Sequence, residues 1–223
     1  MSAGAVTSAY PAIQPGLSVE QLDTLLREKF ALVRDVRDRW NLTLIVPAAK
    51  LVEVVSFLRN EATLAFAQLL DIAGIDYLAY PNHRGARFAA IYNFKSVQFK
   101  HRVLLKVEIE EDQLDLPTLT GLYKIANWQE REVYDQLGFN FVGHPNLKRL
   151  LNHHEFVGHP LRKDYPCQKR QKLSVNDTLI DQLEARLQSK GYVILDRGQE
   201  NRATPITFNE SAKQAAQQKA VAK

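Results

Sequence analysis

The order of periodic segments predicts an α+β fold: an antiparallel or mixed sheet packed with helices, followed by an extended turn-rich arm and a C-terminal helix. Three observations carry this. Leu22, Leu25, Leu26 and Phe30, and later Leu51, Val55 and Leu58, recur at the spacing of a helix face. Val103, Leu105, Val107 and Ile109 instead alternate with Arg102, Lys106, Glu108 and Glu110, the period of a strand with one wet face. Beyond Gly138 neither period persists over some thirty-four residues that contain three prolines and two Gly-His-Pro tripeptides. Helices and antiparallel strands come in segregated order, which argues against a parallel α/β sheet.

Residues 1–17 read as a flexible leader ending at Ser18, whose hydroxyl can cap a helix while Gln21 reaches back to it. A strand is expected from Trp40 to Val46. Pro47 then opens a helix through Leu58, since a first-turn residue loses nothing by lacking its N–H. Residues 64–70 suggest a short helix and residues 75–80 a strand, before a turn at Pro81, Asn82 and Gly85. Residues 86–94 and 101–110 form an antiparallel pair, because the link between them is short. Thr118 is expected to cap a helix running to Leu137, with Leu122, Ala126, Val133 and Leu137 inward and Gly138 as its stop. The core thus covers residues 18–138 and the basic arm residues 139–172. Residues 173–198 hold a helix, with Leu179, Ile180, Leu183 and Leu187 on one face, and a short strand at 192–195. Residues 199–223 form a mobile tail.

The 223 residues carry 29 Lys and Arg against 25 Asp and Glu, and one Cys. A single cysteine excludes an internal disulfide and any iron–sulfur cluster held by this chain alone. From Phe141 to Lys172 seven basic residues face two acidic ones, so the net +4 of the whole chain is a near-neutral body carrying one basic arm. The first basic residue is Arg27, so no secretory or mitochondrial leader is expected, and residues 1–19 are too broken by proline to span a bilayer.

Phe-Val-Gly-His-Pro occurs twice, at Phe141 to Pro145 and at Phe156 to Pro160, each copy followed by a basic pair, Lys148-Arg149 or Arg162-Lys163. Glycine permits left-handed backbone and proline keeps the preceding His extended, so each copy should make a bend with a cationic exit. His144, His153, His154 and His159 invite a metal reading, but neither HExxH nor a paired CxxC is present, and metal binding is not favoured. Cys167, near Lys163, Lys169 and Arg170, reads as an incidental thiol. Four charges at Glu130, Arg131, Glu132 and Asp135 crowd two helical turns and read as a solvated face, in which Glu130 and Glu132 could clamp the arm through Arg149 or Arg162. No phosphate loop, GxGxxG turn or GxSxG elbow occurs.

The run Ala126-Asn-Trp-Gln-Glu-Arg-Glu-Val-Tyr-Asp-Gln-Leu-Gly138, with Gly143-His-Pro-Asn-Leu-Lys-Arg-Leu-Leu151 and Gly158-His-Pro-Leu-Arg-Lys-Asp-Tyr-Pro166, closely resembles the signature of the 30-kDa subunit family of respiratory complex I, which in bacteria is the C subunit of NADH-quinone oxidoreductase. The resemblance spans about Val19 to Pro166. It departs at Asn152, His153 and His154, where the family commonly has acidic residues. It implies a cofactor-free subunit of the peripheral arm, packed against the 49-kDa-like quinone-site subunit and other peripheral-arm subunits. FMN and iron–sulfur clusters would lie on those other chains, and NADH and quinone would be met by the complex as a whole, which couples electron transfer to proton translocation. No catalytic, cofactor or metal residue is expected here. The family-motif residues, expected at contacts between subunits, are Glu130, Arg131, Glu132, Asp135, Gly138, His144, Pro145, Arg149, Gly158, His159, Pro160, Arg162, Lys163, Asp164, Tyr165 and Pro166. The expected location is the cytoplasmic face of the bacterial inner membrane, reached only through partners. The alternatives are the equivalent subunit of a ferredoxin- or hydrogenase-linked membrane complex, a His-based metalloenzyme, and a basic nucleic-acid-binding module. A charge excess this small argues against the last.

Overall fold

The computed structural model describes residues 16–166, except 37, 39, 40 and 82, and residues 174–192. Expectations for Trp40, Cys167, Lys169, Arg170 and Lys172, most of the leader, the strand at 192–195 and the tail fall outside these, apart from Tyr192. The chain divides into two compact units, residues 1–153 with 159–165, and residues 154–158 with 166–223.

The first unit opens with helix α1, Val19–Phe30, started by the expected capping box: the Gln21 amide donates to Ser18 Oγ at 3.2 Å and the Ser18 amide to Gln21 Oε1 at 2.8 Å. Two short strands follow, β1 (Val33–Arg34) and β2 (Thr43–Ile45), then a 3-10 turn at Ala48–Lys50 and helix α2, Leu51–Asn60. Residues 64–70 do not form a helix. Leu64 and Ala65 N–H both close a turn onto the Glu61 carbonyl, Ala65 takes φ 43°, and the chain enters strand β3 (Gln68–Asp76), so the apolar run is strand lead-in. The strand expected at 75–80 accordingly lies upstream, and a turn from Tyr77 to Tyr80 ends it. Strands β4 (Phe88–Lys95) and β5 (Arg102–Ile109) form the expected antiparallel pair. The sheet order is β1-β2-β5-β4-β3, mixed because β2 and β5 run parallel.

Strand β6 (Asp115–Pro117) pairs in parallel with β7 (Asn140–Val142), flanking helix α3 (Ala126–Leu137). The helix therefore starts seven residues later than a cap at Thr118 suggests. The Thr118 N–H is committed to the Val142 carbonyl, extending this small sheet, and Leu119 to Ile125 run through turns. Gly138, at φ 84°, stops α3 as expected.

The core lies on one face of the large sheet. Phe88, Ala90, Tyr92 and Phe94 of β4 and the odd positions of β5 meet Leu22 and Leu26 of α1, Leu51, Val55 and Leu58 of α2, and Ala126, Val133 and Leu137 of α3. Gly74 lets α3 approach β3, since a Cβ there would stand 2.2 Å from Leu137 Cδ1. The opposite face is less wet than its alternation suggests: Lys106 is only 2% exposed, paired to Asp35 and Glu108. In the second unit, helix α4 (Ser174–Ser189) ends on Gly191 at φ 86°, and Leu179 and Leu183 are exposed on it.

Candidate functional site

The family-motif residues of the first unit converge on the C-terminal half of α3. Helix periodicity places Glu130 on the stripe Ala126, Glu130, Val133, Leu137, and it is fully buried. Its carboxylate accepts the Thr118 hydroxyl at 2.6 Å and the Leu119 amide at 2.7 Å, fixing the chain that leads into α3. Burial pushes its pKa up, against the pull of these two donors. Glu130 is therefore not an arm clamp, and Glu132 is exposed with no ion pair to Arg149 or Arg162. The four-charge segment is not a solvated face either, because Asp135 is also fully buried.

Asp135 is the clamp. One oxygen, Oδ2, accepts the amides of Leu150, Leu151 and Asn152 at 3.0, 2.8 and 2.8 Å. The other accepts Arg149 Nη1 at 2.6 Å and Asn152 Nδ2 at 3.1 Å. Burial alone would raise the Asp135 pKa, but the Asn152 amides and the Arg149 guanidinium overcome it and hold it at about 2. Asn152 donates twice to this carboxylate, through its backbone N–H and through Nδ2.

Around this clamp Arg131, His144, His159 and Arg162 are each engaged. Arg131 donates to the carbonyls of Lys148 and Arg149 at 3.1 and 3.2 Å rather than to Asp135 one turn along, and its guanidinium lies 5.2 Å from the exposed Trp128 ring. The Asn146 amide donates to His144 Nδ1 at 3.0 Å, which leaves Nε2 to carry the proton and donate to the Asn127 carbonyl at 3.2 Å. His159 Nδ1 donates to the Asp135 carbonyl at 3.1 Å, Arg162 Nε to the Leu137 carbonyl at 2.6 Å, and the Leu161 amide to the Gln136 carbonyl at 3.1 Å. These three bonds satisfy carbonyls that the helix end leaves open. Burial lowers the His159 pKa, and Arg162 and Arg149 add to the effect. Both Gly-His-Pro turns use left-handed glycine, Gly143 at φ 84° and Gly158 at φ 98°. Pro145 is exposed and Pro160 half-buried; Gly158 and Pro166 belong to the second unit.

A second anchor is not legible as such from the sequence. Asp76, fully buried at its side chain and closing β3, accepts Arg87 through Nε and Nη2, each at 3.2 Å, the Leu78 amide at 3.0 Å and the Lys163 amide at 2.8 Å. Arg87 also pairs with Asp164 at 2.9 Å and with Glu111. Burial pushes the Asp76 pKa up, yet Arg87 and the two amides bring it below the usual carboxylate value. The guanidinium groups of Arg87 and Arg162 share one ring, at 4.6 and 5.3 Å from the Phe88 centroid. The available signal is an acid at a core-facing position: Asp76 continues the alternation Ile72, Gly74.

The result is a strap. Residues 144–153 and 159–165 are tied to the end of α3 by Asp135 and to the end of β3 by Asp76 and Arg87. Its side chains hold backbone, so the arrangement positions a surface more readily than it transfers a proton. Among the described residues, no group of three or more His, Cys, Asp or Glu is placed to hold a metal ion, and no helix is long and apolar enough to cross a membrane. The pinning point is sensitive to one hydrogen. A Cβ at Gly138 would lie 2.6 Å from both Arg162 Nη2 and His159 Nε2, in a left-handed backbone. Gly138→Ala should therefore lower the unfolding free energy by about 1–3 kcal/mol, read from the urea midpoint at constant slope.

Comparison with known proteins agrees with this geometry. The family model described as respiratory-chain NADH dehydrogenase, 30 Kd subunit, matches residues 44–171. The C subunit of the NADH-quinone oxidoreductase of Caulobacter vibrioides is 40% identical over 138 residues, 62% of this chain and 68% of that protein. Its namesake from an Azoarcus species is 42% identical over 155 residues, 66% of this chain and 76% of that one. Among solved structures, the trypsin-resistant fragment (1–134) of Nqo5 superposes with a TM-score of 0.53 at 33% identity, covering 59% of this chain and all of the fragment. A chain of the archaeal membrane-bound sulfane sulfur reductase shares the fold, with a TM-score of 0.56 at 22% identity over 84% of this chain and 98% of its own. The matched span contains the whole strap and both carboxylates that fasten it, and the chain belongs to the 30-kDa subunit family of respiratory-chain NADH dehydrogenase.

Proposed function

We propose that this chain is a structural subunit of the peripheral arm of a bacterial NADH:quinone oxidoreductase, with no catalytic centre of its own. One observation carries the reading: Glu130, Arg131, Asp135, Arg149, Arg162 and Asp164 of the family motif are spent on contacts inside the chain that fix its backbone, rather than grouped around a cavity as acid, base or ligand. Arg149, Arg162 and Asp164 thereby act on partners indirectly. The outward-facing residues they hold in place, Glu132, Pro145, Lys148, Leu151, Leu161 and Lys163, meet the 49-kDa-like quinone-site subunit and its neighbours. FMN and iron–sulfur clusters sit on other chains, the complex meets NADH and quinone, and this chain reaches the cytoplasmic face of the inner membrane only through those partners. NADH is preferred over ferredoxin or hydrogen as the donor because relatives at about 40% identity carry the NADH-quinone name, whereas the reductase of another kind shares the fold alone.

Mild-detergent purification of the tagged full chain tests this. Stoichiometric recovery of flavin- and cluster-bearing subunits with NADH-oxidising activity is expected. A monodisperse monomer recovered without partners contradicts it.

A further inference from the structure

Strands β3 and β4 are joined by residues 77–87, a link well beyond the roughly two to five residues of an ordinary hairpin. Its backbone is ordered from within. The Tyr77 and His83 rings stack at 4.0 Å, Tyr80 meets Tyr77 edge-on at 5.8 Å, and the Tyr80 and His83 amides donate to the Tyr77 and Tyr80 carbonyls. Two large apolar side chains of this ordered loop nevertheless stay in water, Leu78 at 53% and Tyr80 at 65% exposure. A rigid loop that spends its internal contacts on holding such side chains outward is built as a contact surface.

Asp76 brings this loop to the strap. Its Oδ1 accepts the Leu78 amide at 3.0 Å and its Oδ2 the Lys163 amide at 2.8 Å, so one carboxylate sets Leu78 and Lys163 side by side. Leu161, two positions before Lys163, is exposed as well. The exposed Lys163 forms no ion pair among the described residues, because Asp76 and Asp164 are both taken by Arg87. Across β4 the charge reverses. The rung Asp76, Phe88, Ile109 brings the bend Glu110, Glu111 and Asp112 out at the same end of the sheet. All three acids are exposed, and of them only Glu111 forms an ion pair among the described residues, with Arg87. An anionic lipid surface or a nucleic acid presents one sign of charge and is repelled by this bend, whereas a protein segment can match a base and acids a strand apart.

We propose that the β3–β4 loop and the strap form one composite docking surface for a segment of a partner subunit. Leu78, Tyr80 and Leu161 take its apolar side chains, Lys163 a carboxylate, and the bend at Glu110 and Asp112 a base. The inference rests on the subunit reading above and adds to the strap a loop that lies far from the family motif in sequence. It also gives Asp76 a role beyond fastening the strap: by accepting from both segments it holds the two halves of the surface in register before the partner arrives, which lowers the ordering cost of docking.

Hydroxyl-radical footprinting of the detergent-purified complex, read by peptide mass spectrometry, tests this. The Leu78 and Tyr80 side chains should be oxidised several-fold more slowly in the intact complex than in the dissociated full chain. Zero-length carbodiimide coupling should join Lys163 to an Asp or Glu of a different subunit. Leu78→Ser combined with Tyr80→Ser should keep the circular dichroism and urea midpoint of the native chain, while the coupled subunit is recovered at several-fold lower yield. An intact complex in which both side chains oxidise at the dissociated rate overturns the proposal and leaves the subunit reading standing. So does coupling of Lys163 solely to this chain or to a second copy of it, or binding of the free chain to phosphatidylglycerol vesicles that the double variant abolishes. A chain that purifies without any partner overturns both.

Discussion

Replacing Arg87 by Met is expected to lower the unfolding free energy of the full chain by about 3–5 kcal/mol, because it strands a buried carboxylate. Arg87 supplies two of the four hydrogen bonds that Asp76 accepts, and the Asp76 side chain has no exposure through which water could replace them. The same substitution releases Asp164 and Glu111, which are partly exposed and contribute far less. Urea denaturation measures the loss. Adding Asp76→Asn to Arg87→Met should recover part of it, since a neutral amide leaves no unpaired buried charge, although its single oxygen can accept from only one of Leu78 and Lys163, whose amides address different carboxylate oxygens. Absence of any recovery would mean that Arg87 acts through packing on Phe88 instead.

Asp135→Ala should cost a similar amount, about 3–5 kcal/mol, and release the strap from α3. Three amides, one side-chain amide and the Arg149 guanidinium lose their acceptor together. Lys148 and Arg149 flank the released stretch, so trypsin should cut there in the variant under conditions that leave the native chain intact. The pH dependence separates ionic from steric causes. The folded pKa of Asp135, about 2, lies below its ordinary value of 3.8, so its stabilisation is complete above pH 4 and is lost as pH falls through the interval between those values. The shift corresponds to roughly 2–2.5 kcal/mol. The gap between native and variant stability should narrow by that amount across the interval. Glu130 works in the opposite direction, because its raised pKa favours the fold below its unfolded value, but it is present in both proteins and cancels in the difference.

Local chemistry is legible in the sequence, and long-range commitment is not. Ser18 and Gln21 announce their capping box, and Gly138 its helix stop. Gly143 and Gly158 announce their left-handed turns, because each needs only neighbours within a few positions. The β4–β5 pair is equally readable from its alternation and short link. The start of α3 is misleading because Thr118 is a good cap in isolation, while its amide is claimed by Val142 across the β6–β7 pairing, which no local pattern reveals. Residues 64–70 mislead for a related reason: a short apolar run has no decisive period, and the positive φ at Ala65 interrupts it. Among the acids of α3, Glu130 is identifiable as buried from its place on the Ala126–Leu137 stripe. Asp135 is not, since its burial comes from a segment fifteen residues away that folds back over it. Asp76 carries a signal in its core-facing register, but its partner Arg87 and the distant Lys163 amide lie beyond any sequence rule.

A strap that supports assembly and takes no part in chemistry should separate the quantity of complex from its rate. Both are measurable in membranes carrying Asp135→Ala in place of the native chain, as the amount of assembled complex and the NADH:quinone turnover per assembled complex. Less assembled complex is expected, with turnover per complex equal to the native value. A normal amount of complex with reduced turnover would contradict a purely structural strap.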